Sequence, residues 1–179
     1  MKIYSARHGQ TDYNLNDLIQ GTTDNELNET GISQAYELAE KVSAKKDIDF
    51  IISSPMKRAY QTASVIAEKN RLEIITDERF REWDYGKYEG MHRTASGFAE
   101  NKIQFGVRMG TDGESVLQLA HRVYSALDDI IKKYPDKNIL IVCHGGVCRI
   151  IETYFHDLDT VSYSNWFMDN CQILEYNIN

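Results

Sequence analysis

The sequence predicts an α/β fold: a three-layer α/β/α sandwich with a mostly parallel central sheet, helices on both faces and an antiparallel edge strand. Three observations carry this. Phe50–Ile52 and Ile139–Val142 are short and continuously apolar, the pattern of strands covered on both faces. Strand, polar turn and amphipathic helix recur in that order at least three times. Cys171–Ile178 alternates enough to lie at a sheet edge. A length of 179 residues suits one domain, 1–179, with a sizeable core.

Taken in order, Lys2–Ala6 reads as the first strand. A polar loop from Gly9 to Glu29, rich in Asn, Asp, Thr and Gly, is a surface segment suited to ligand contacts. Thr30 is placed as the N-cap of a helix running to Lys46, with Ile32, Ala35, Leu38, Ala39 and Val42 on one stripe. After the Phe50–Ile52 strand, Ser54 is the candidate N-cap and Pro55 the first position of a helix reaching Asn70. Leu72–Thr76 is a third strand. The pattern is then lost from Asp77 to Asp112, apart from a short helix expected within Ala95–Phe105. So long an irregular segment in a compact chain points to a substrate-specificity insertion. Glu114-Ser115 opens a strongly amphipathic helix to Tyr134. Ile139–Val142 is the late buried strand, and a helix over Val147–Phe155 follows it.

Composition narrows the function. The net charge of −7 argues against nucleic acid or an anionic membrane surface as partner. No apolar run approaches transmembrane length, and Met1 leads straight into a predicted strand, leaving no room for a signal peptide. Cys143, Cys148 and Cys171 are odd in number and lack metal-pair spacing, so they read as reduced thiols of a cytoplasmic protein. With His144 and His156 the cysteines have the wrong spacing for a structural zinc, and no metal is expected.

In such sheets ligands bind beyond the carboxyl ends of the parallel strands. The unusual residues sit there: Arg7 and His8 after the first strand, Ser54 and Arg58 after the second, His144 after the late one. Two arginines and two histidines on one rim, beside helix N-termini, fit a phosphoryl group.

Several blocks in fixed order resemble the histidine phosphatase superfamily, also called phosphoglycerate mutase-like. They are Arg7-His8-Gly9-Gln10-Thr11 with Asn14 and Gln20-Gly21, Ser53–Ala63, Arg81–Gly90, Gly113-Glu114-Ser115 and Val142–Gly146. They span nearly the whole chain. The resemblance implies that His8 is the nucleophile that accepts the phosphoryl group. It makes Arg7, Arg58 and His144 ligands of the phosphoryl oxygens, and Glu82 the proton donor that later activates water. Asn14, Gln20 and Gly21 match positions lining the phosphate pocket or its entrance. The expected substrate is a small phosphomonoester, and the resemblance implies no metal or other cofactor.

Within the family, Trp83 stands where mutases follow the acid glutamate with arginine, and Gln20 stands where they carry threonine or serine. The segment before the second histidine is short and weakly basic, with Arg93, Lys102 and Arg108. These departures favour hydrolysis over phosphoglycerate mutase-type transfer. A non-catalytic phosphate-binding or regulatory module is the reading from another class, and it conflicts with a complete set of His8, His144, two arginines and Glu82. Asp84 and Glu89 compete with Glu82 for the acid role. His92 and His121 read as surface residues, and Arg122 as a salt-bridge partner. Trp83, Tyr85, Tyr88, Phe98 and Phe105 read equally as a substrate wall or as the insertion's own core. The last strand could pair between two chains as a homodimer, and nothing in the sequence compels it.

Overall fold

In the computed structural model, which describes residues 1–178, five strands form one sheet: β1 (Lys2–Arg7), β2 (Phe50–Ser53), β3 (Ile74–Thr76), β4 (Ile139–Cys143) and β5 (Ile173–Asn177). Their spatial order is β3-β2-β4-β1-β5. The first four run parallel, and β5 lies antiparallel along β1 at the edge. The register sets the site: Arg7 pairs with Cys143 and Ser53 with Val142. The residues that follow each strand, His8, Ser54 and His144, therefore emerge side by side.

The apolar run of β4 is divided between two cores. Ile139, Ile141 and Cys143 face one side with α5 (Val116–Lys133) and α6 (Gly145–Phe155); Leu140 and Val142 face the other with α2 (Glu29–Lys45) and α3 (Lys57–Asn70). Every β4 side chain is fully buried. This is why the strand carries no polar alternation. The amphipathic stripe of α5 (Val116, Leu119, Val123, Leu127 and Ile130) is likewise buried, so the three layers match the expectation.

Several local expectations need correction. Asn28, not Thr30, caps α2: its Oδ1 accepts the Gly31 N–H at 2.9 Å and its Nδ2 reaches Gln10 Oε1, so one side chain closes both the helix and the preceding loop. Ser54 does not cap α3. The helix starts at Lys57 after Met56, because the Ser54 hydroxyl accepts the Met56 N–H and also bonds His144. The third strand begins at Ile74 rather than Leu72, and α6 begins at Gly145 rather than Val147. A short α1 (Asp12–Leu15) interrupts the first loop, and α7 (Thr160–Asn165) the stretch before β5. Within 77–112 the helix shrinks to α4 (Phe98–Lys102), preceded by single 3₁₀ turns at Glu78–Phe80 and Gly86–Tyr88. Trp83, Tyr88, Phe98 and Met109 are buried against the core, so this segment is held by its aromatic residues rather than by regular structure.

Among the described residues no helix is long and apolar enough to cross a membrane.

Leu140 has no exposed surface and Leu117 is 61 % exposed. Leu140→Ala is expected to cost about 2–5 kcal/mol and Leu117→Ala about 0.5 kcal/mol or less, read from urea unfolding midpoints at fixed slope.

Candidate active site

A cleft of about 580 Å³, its open mouth included, lies beyond the carboxyl ends of β1 and β4. Arg7, His8, Asn14, Gln20 and Glu82 line it, with Tyr85 and Phe98 forming an aromatic wall. Arg58 and His144 are fully buried just behind this surface.

His8 is placed by backbone. Its N–H donates to the Cys143 carbonyl, and the Asn170 side chain donates to its own carbonyl at 2.8 Å. Its Nδ1 lies 2.7 Å from the Gly9 carbonyl oxygen. A carbonyl can only accept, so Nδ1 carries the proton and the neutral ring keeps its lone pair on Nε2. Gly9 is required at this point: a Cβ there would stand 2.4 Å from the Gly31 carbonyl oxygen. The Gly9 N–H donates to Thr62 Oγ1, whose hydroxyl donates to the Arg58 carbonyl, tying the loop after His8 to α3.

The His144 ring centroid is 5.2 Å from that of His8. Its Nε2 is 2.8 Å from Ser54 Oγ. With the serine proton directed to Nε2, the neutral ring carries its own proton on Nδ1. Burial pushes both imidazoles well below the ordinary value of 6.5, and the Arg58 charge pushes each further down.

The arginines are oriented by neutral groups. Arg58 donates to the Thr23 and Gly21 carbonyls at 2.8 and 2.9 Å, and burial lowers it to about 10. Arg7 donates to the Met168 carbonyl at 2.7 Å. Neither forms an ion pair among the described residues. Four buried site nitrogens have no hydrogen-bond partner among the described residues: Arg7 Nε, Arg58 Nε, His144 Nδ1 and Gln20 Nε2. A buried unpaired donor costs about 1–3 kcal/mol, more when charged. An oxyanion in the cleft is the natural acceptor.

The three carboxylates of the insertion are sorted by geometry. Glu82 alone of them lines the cleft, its oxygens accepting the Trp83 and Gly146 N–H groups at 2.9 and 3.1 Å. Asp84 turns away and accepts the Gly86 N–H. Glu89 accepts the N–H groups of Gly21, Thr22 and Thr23 and the Thr23 hydroxyl. Glu89 and Arg58 thus grip the 21–23 loop from its N–H and carbonyl sides. Gly21 is needed for this, since a Cβ would stand 2.1 Å from Glu89 Oε1. Arg122 pairs with Glu114 and also donates to the Arg79, Arg81 and Glu82 carbonyls, holding the backbone that presents Glu82. His92 and His121 lie on the surface. Asn14 caps α1 with Thr11, and its Oδ1 accepts from Asn170. Sequence reasoning missed Asn170, Thr62 and the loop-gripping role of Glu89. Only the positions of Thr62 and Glu89 inside motif blocks hinted at their importance.

Two expectations follow. The unfolded chain protonates these histidines near 6.5 while the fold keeps them neutral, so their contribution is intact above that pH and declines as pH falls through it. The loss is up to about 1.4 kcal/mol per pH unit for each ring. Urea midpoints at pH 7.5 and 5.5 should fall less in the His8→Gln/His144→Gln double variant than in wild type. Glu89→Ala should raise the inhibition constant of inorganic phosphate roughly tenfold or more, and Glu89→Gln, which keeps one acceptor oxygen, should raise it less.

Comparison with known proteins agrees with this geometry. The profile of the histidine phosphatase superfamily (branch 1) matches residues 3–179. A putative phosphoserine phosphatase 2 of Hydrogenobacter thermophilus is 34% identical over 97% of this chain and 88% of its own. A probable phosphoglycerate mutase GpmB of Proteus mirabilis is 35% identical over 97% of this chain and 83% of its own. Among solved structures, a mycobacterial glucosyl-3-phosphoglycerate phosphatase in complex with VO3 superposes with a TM-score of 0.87 at 27% identity, covering 97% of this chain and 90% of that one. The chain belongs to the histidine phosphatase superfamily.

Proposed function

We propose that this protein hydrolyses a small phosphomonoester through a phosphohistidine on His8, as a single domain whose 77–112 segment sets substrate specificity. The observation that carries the reading is the ring of unpartnered buried donors around a histidine whose lone pair sits on Nε2. His8 Nε2 attacks phosphorus, the N–P bond forms and the ester P–O bond breaks. Glu82, protonated, gives its proton to the leaving alkoxide oxygen. Arg7, Arg58, His144 and Gln20 donate to the equatorial oxygens, where charge is held through the transfer. In the second half Glu82, now a carboxylate, takes a proton from water as its oxygen attacks phosphorus. The N–P bond breaks, phosphate leaves, and the lone pair returns to His8. Gly21 and Asn14 shape the pocket wall and its entrance.

Hydrolysis is favoured over mutase transfer by Gln20 and Trp83. Gln20 stands where a mutase-like chain carries threonine or serine, and its longer amide lines the cleft with Nε2 unpartnered. Trp83 is buried and bonded to the Glu114 carbonyl, so the position after the acid supplies no cation to a second phosphate.

Mixing with a labelled phosphomonoester and quenching in alkali should trap an acid-labile phosphoprotein that vanishes in His8→Ala. Glu82→Gln should lower kcat by about 10²–10⁴-fold while trapping persists. Efficient conversion of 3-phosphoglycerate to 2-phosphoglycerate in the presence of a bisphosphoglycerate primer would reverse the hydrolase assignment.

A further inference from the structure

Two successive peptide planes beside the nucleophile are held by side chains from elsewhere in the fold. In the His8–Gly9 peptide the carbonyl accepts from Asn170 Nδ2 at 2.8 Å, and the N–H donates to Thr62 Oγ1 at 3.0 Å. In the Gly9–Gln10 peptide the N–H donates to Gln34 Oε1 at 2.9 Å, and the carbonyl is the one that takes the His8 Nδ1–H. Gln34 lies in α2, Thr62 in α3 and Asn170 in the loop before β5. Thr62 is fully buried, and its hydroxyl proton is committed to the Arg58 carbonyl. None of the three side chains lines the cleft.

The hinge between these planes is Gly9. A glycine backbone rotates more freely than any other, so the residue itself does not keep its carbonyl turned toward the His8 ring. No larger residue could stiffen the turn, because a Cβ on Gly9 would meet the Gly31 carbonyl. The orientation has to come from outside, and Gln34, Thr62 and Asn170 supply it. The carbonyl matters most as the ring reacts. When Nε2 bonds phosphorus the imidazole gains positive charge, and its Nδ1–H bond to the carbonyl becomes charge-assisted. A carbonyl takes that bond without taking the proton, so the ring stays cationic and leaves phosphorus readily in the second half. In the free cleft, burial and the charges of Arg58, Arg7 and Arg93 oppose a charged ring, and the Gly9 carbonyl works the other way.

We propose that Gln34, Thr62 and Asn170 are positioning residues for the phosphoryl transfer: they clamp the two peptides around Gly9 and so hold the Gly9 carbonyl on His8 Nδ1. This rests on the hydrolase reading. The gain is realised as the N–P bond forms, so it belongs to kcat rather than to ground-state binding. The three anchors stand on different elements, so the loop after His8 is fixed against α2, α3 and the approach to β5 at once.

The test uses the purified full chain, p-nitrophenyl phosphate as substrate and inorganic phosphate as competitive inhibitor. Gln34→Met removes the acceptor at similar length, and Gln34→Glu keeps it. The burst of nitrophenolate reads phosphohistidine formation. Gln34→Met should slow that burst roughly tenfold while the inhibition constant of phosphate stays within about twofold, and Gln34→Glu should restore most of the rate. Thr62→Val and Asn170→Asp should act in the same direction, and Thr62→Ser should rescue the first. Thermal unfolding separates a lost clamp from a lost fold. Ring-labelled histidine gives a second readout by nitrogen NMR, with the His8 signals identified by their loss in His8→Gln. They should show Nδ1 protonated in wild type and a mixture of tautomers in Gln34→Met. A burst rate unmoved by Gln34→Met and Thr62→Val, or one that moves together with the inhibition constant, overturns the clamp and leaves the hydrolase reading standing. If wild type releases no nitrophenolate and forms no phosphohistidine, the hydrolase reading falls. The ring signals then decide the clamp, which is overturned if the single tautomer persists in Gln34→Met.

Discussion

The structure depends on holding positive charge in a dry place without neutralising it. Taking a cation out of water is costly, and the usual remedy is a carboxylate partner. This chain uses that remedy at its surface, where Lys2 meets Asp47 and Glu175, and Arg79 meets Asp77 and Asp129. In the cleft it uses a different one. Arg58 rests on the Gly21 and Thr23 carbonyls, Arg7 on the Met168 carbonyl, Arg149 on the Trp166 carbonyl. Carbonyl dipoles orient a guanidinium and replace part of its hydration, yet leave its full charge available to a ligand. A carboxylate at the same place would have closed the site to phosphate.

That choice places demands on the backbone. Each accepting carbonyl belongs to a loop, and each loop must be held independently of the ligand. Glu89 fixes the 21–23 loop by taking its N–H groups, so that its carbonyls stay turned to Arg58. Arg122 fixes the 79–82 segment, and its own charge is answered by Glu114. Asn170 fixes the His8 carbonyl. Beneath these loops lies the register of β1 on β4, which brings His8 and His144 out of the sheet together with no side-chain bond between them. Two apolar cores, one on each face, keep that register from slipping by a residue, which would exchange the faces of every strand side chain.

What could be read from the amino-acid sequence follows from this division. β4 and β2 are legible because full burial leaves an unbroken apolar run, and α5 because half-burial leaves a stripe. Arg7, Arg58 and His144 stand at strand or helix boundaries that the pattern also marks, so their convergence could be argued before any geometry. Ser54 was legible as a polar residue at a boundary but not in its use, because a hydroxyl that suits an N-cap equally suits a histidine, and tertiary context decided. Thr30 and Asn28 present the same ambiguity, since both residue types cap helices well and only the reach of Asn28 to Gln10 separates them. α1 and α7 were missed because four and six residues carry too few positions to establish a helical stripe. The aromatic residues of 77–112, left open between substrate wall and loop core, divide: Trp83 and Tyr88 are buried in the core, while Phe98 is buried and also lines the cleft beside Tyr85.

The same division explains why three carboxylates within eight residues acquire different surroundings. Asp84 is short and stays with its own turn, accepting the Gly86 N–H. Glu89 follows the 3₁₀ turn at Gly86–Tyr88, which swings it beneath the 21–23 loop. Glu82 is left facing the cleft, tethered through Gly146 to the first turn of α6. That turn begins directly after His144. Glu82 and His144 therefore meet at one joint, formed where β4 ends and α6 begins. His8 follows β1 and is held across to β4 by its N–H on the Cys143 carbonyl. The chemistry proposed for this cleft needs a fixed nucleophile and a coordinated acid and oxyanion donor opposite it, and the two sides of the site are built on two different strands to provide that.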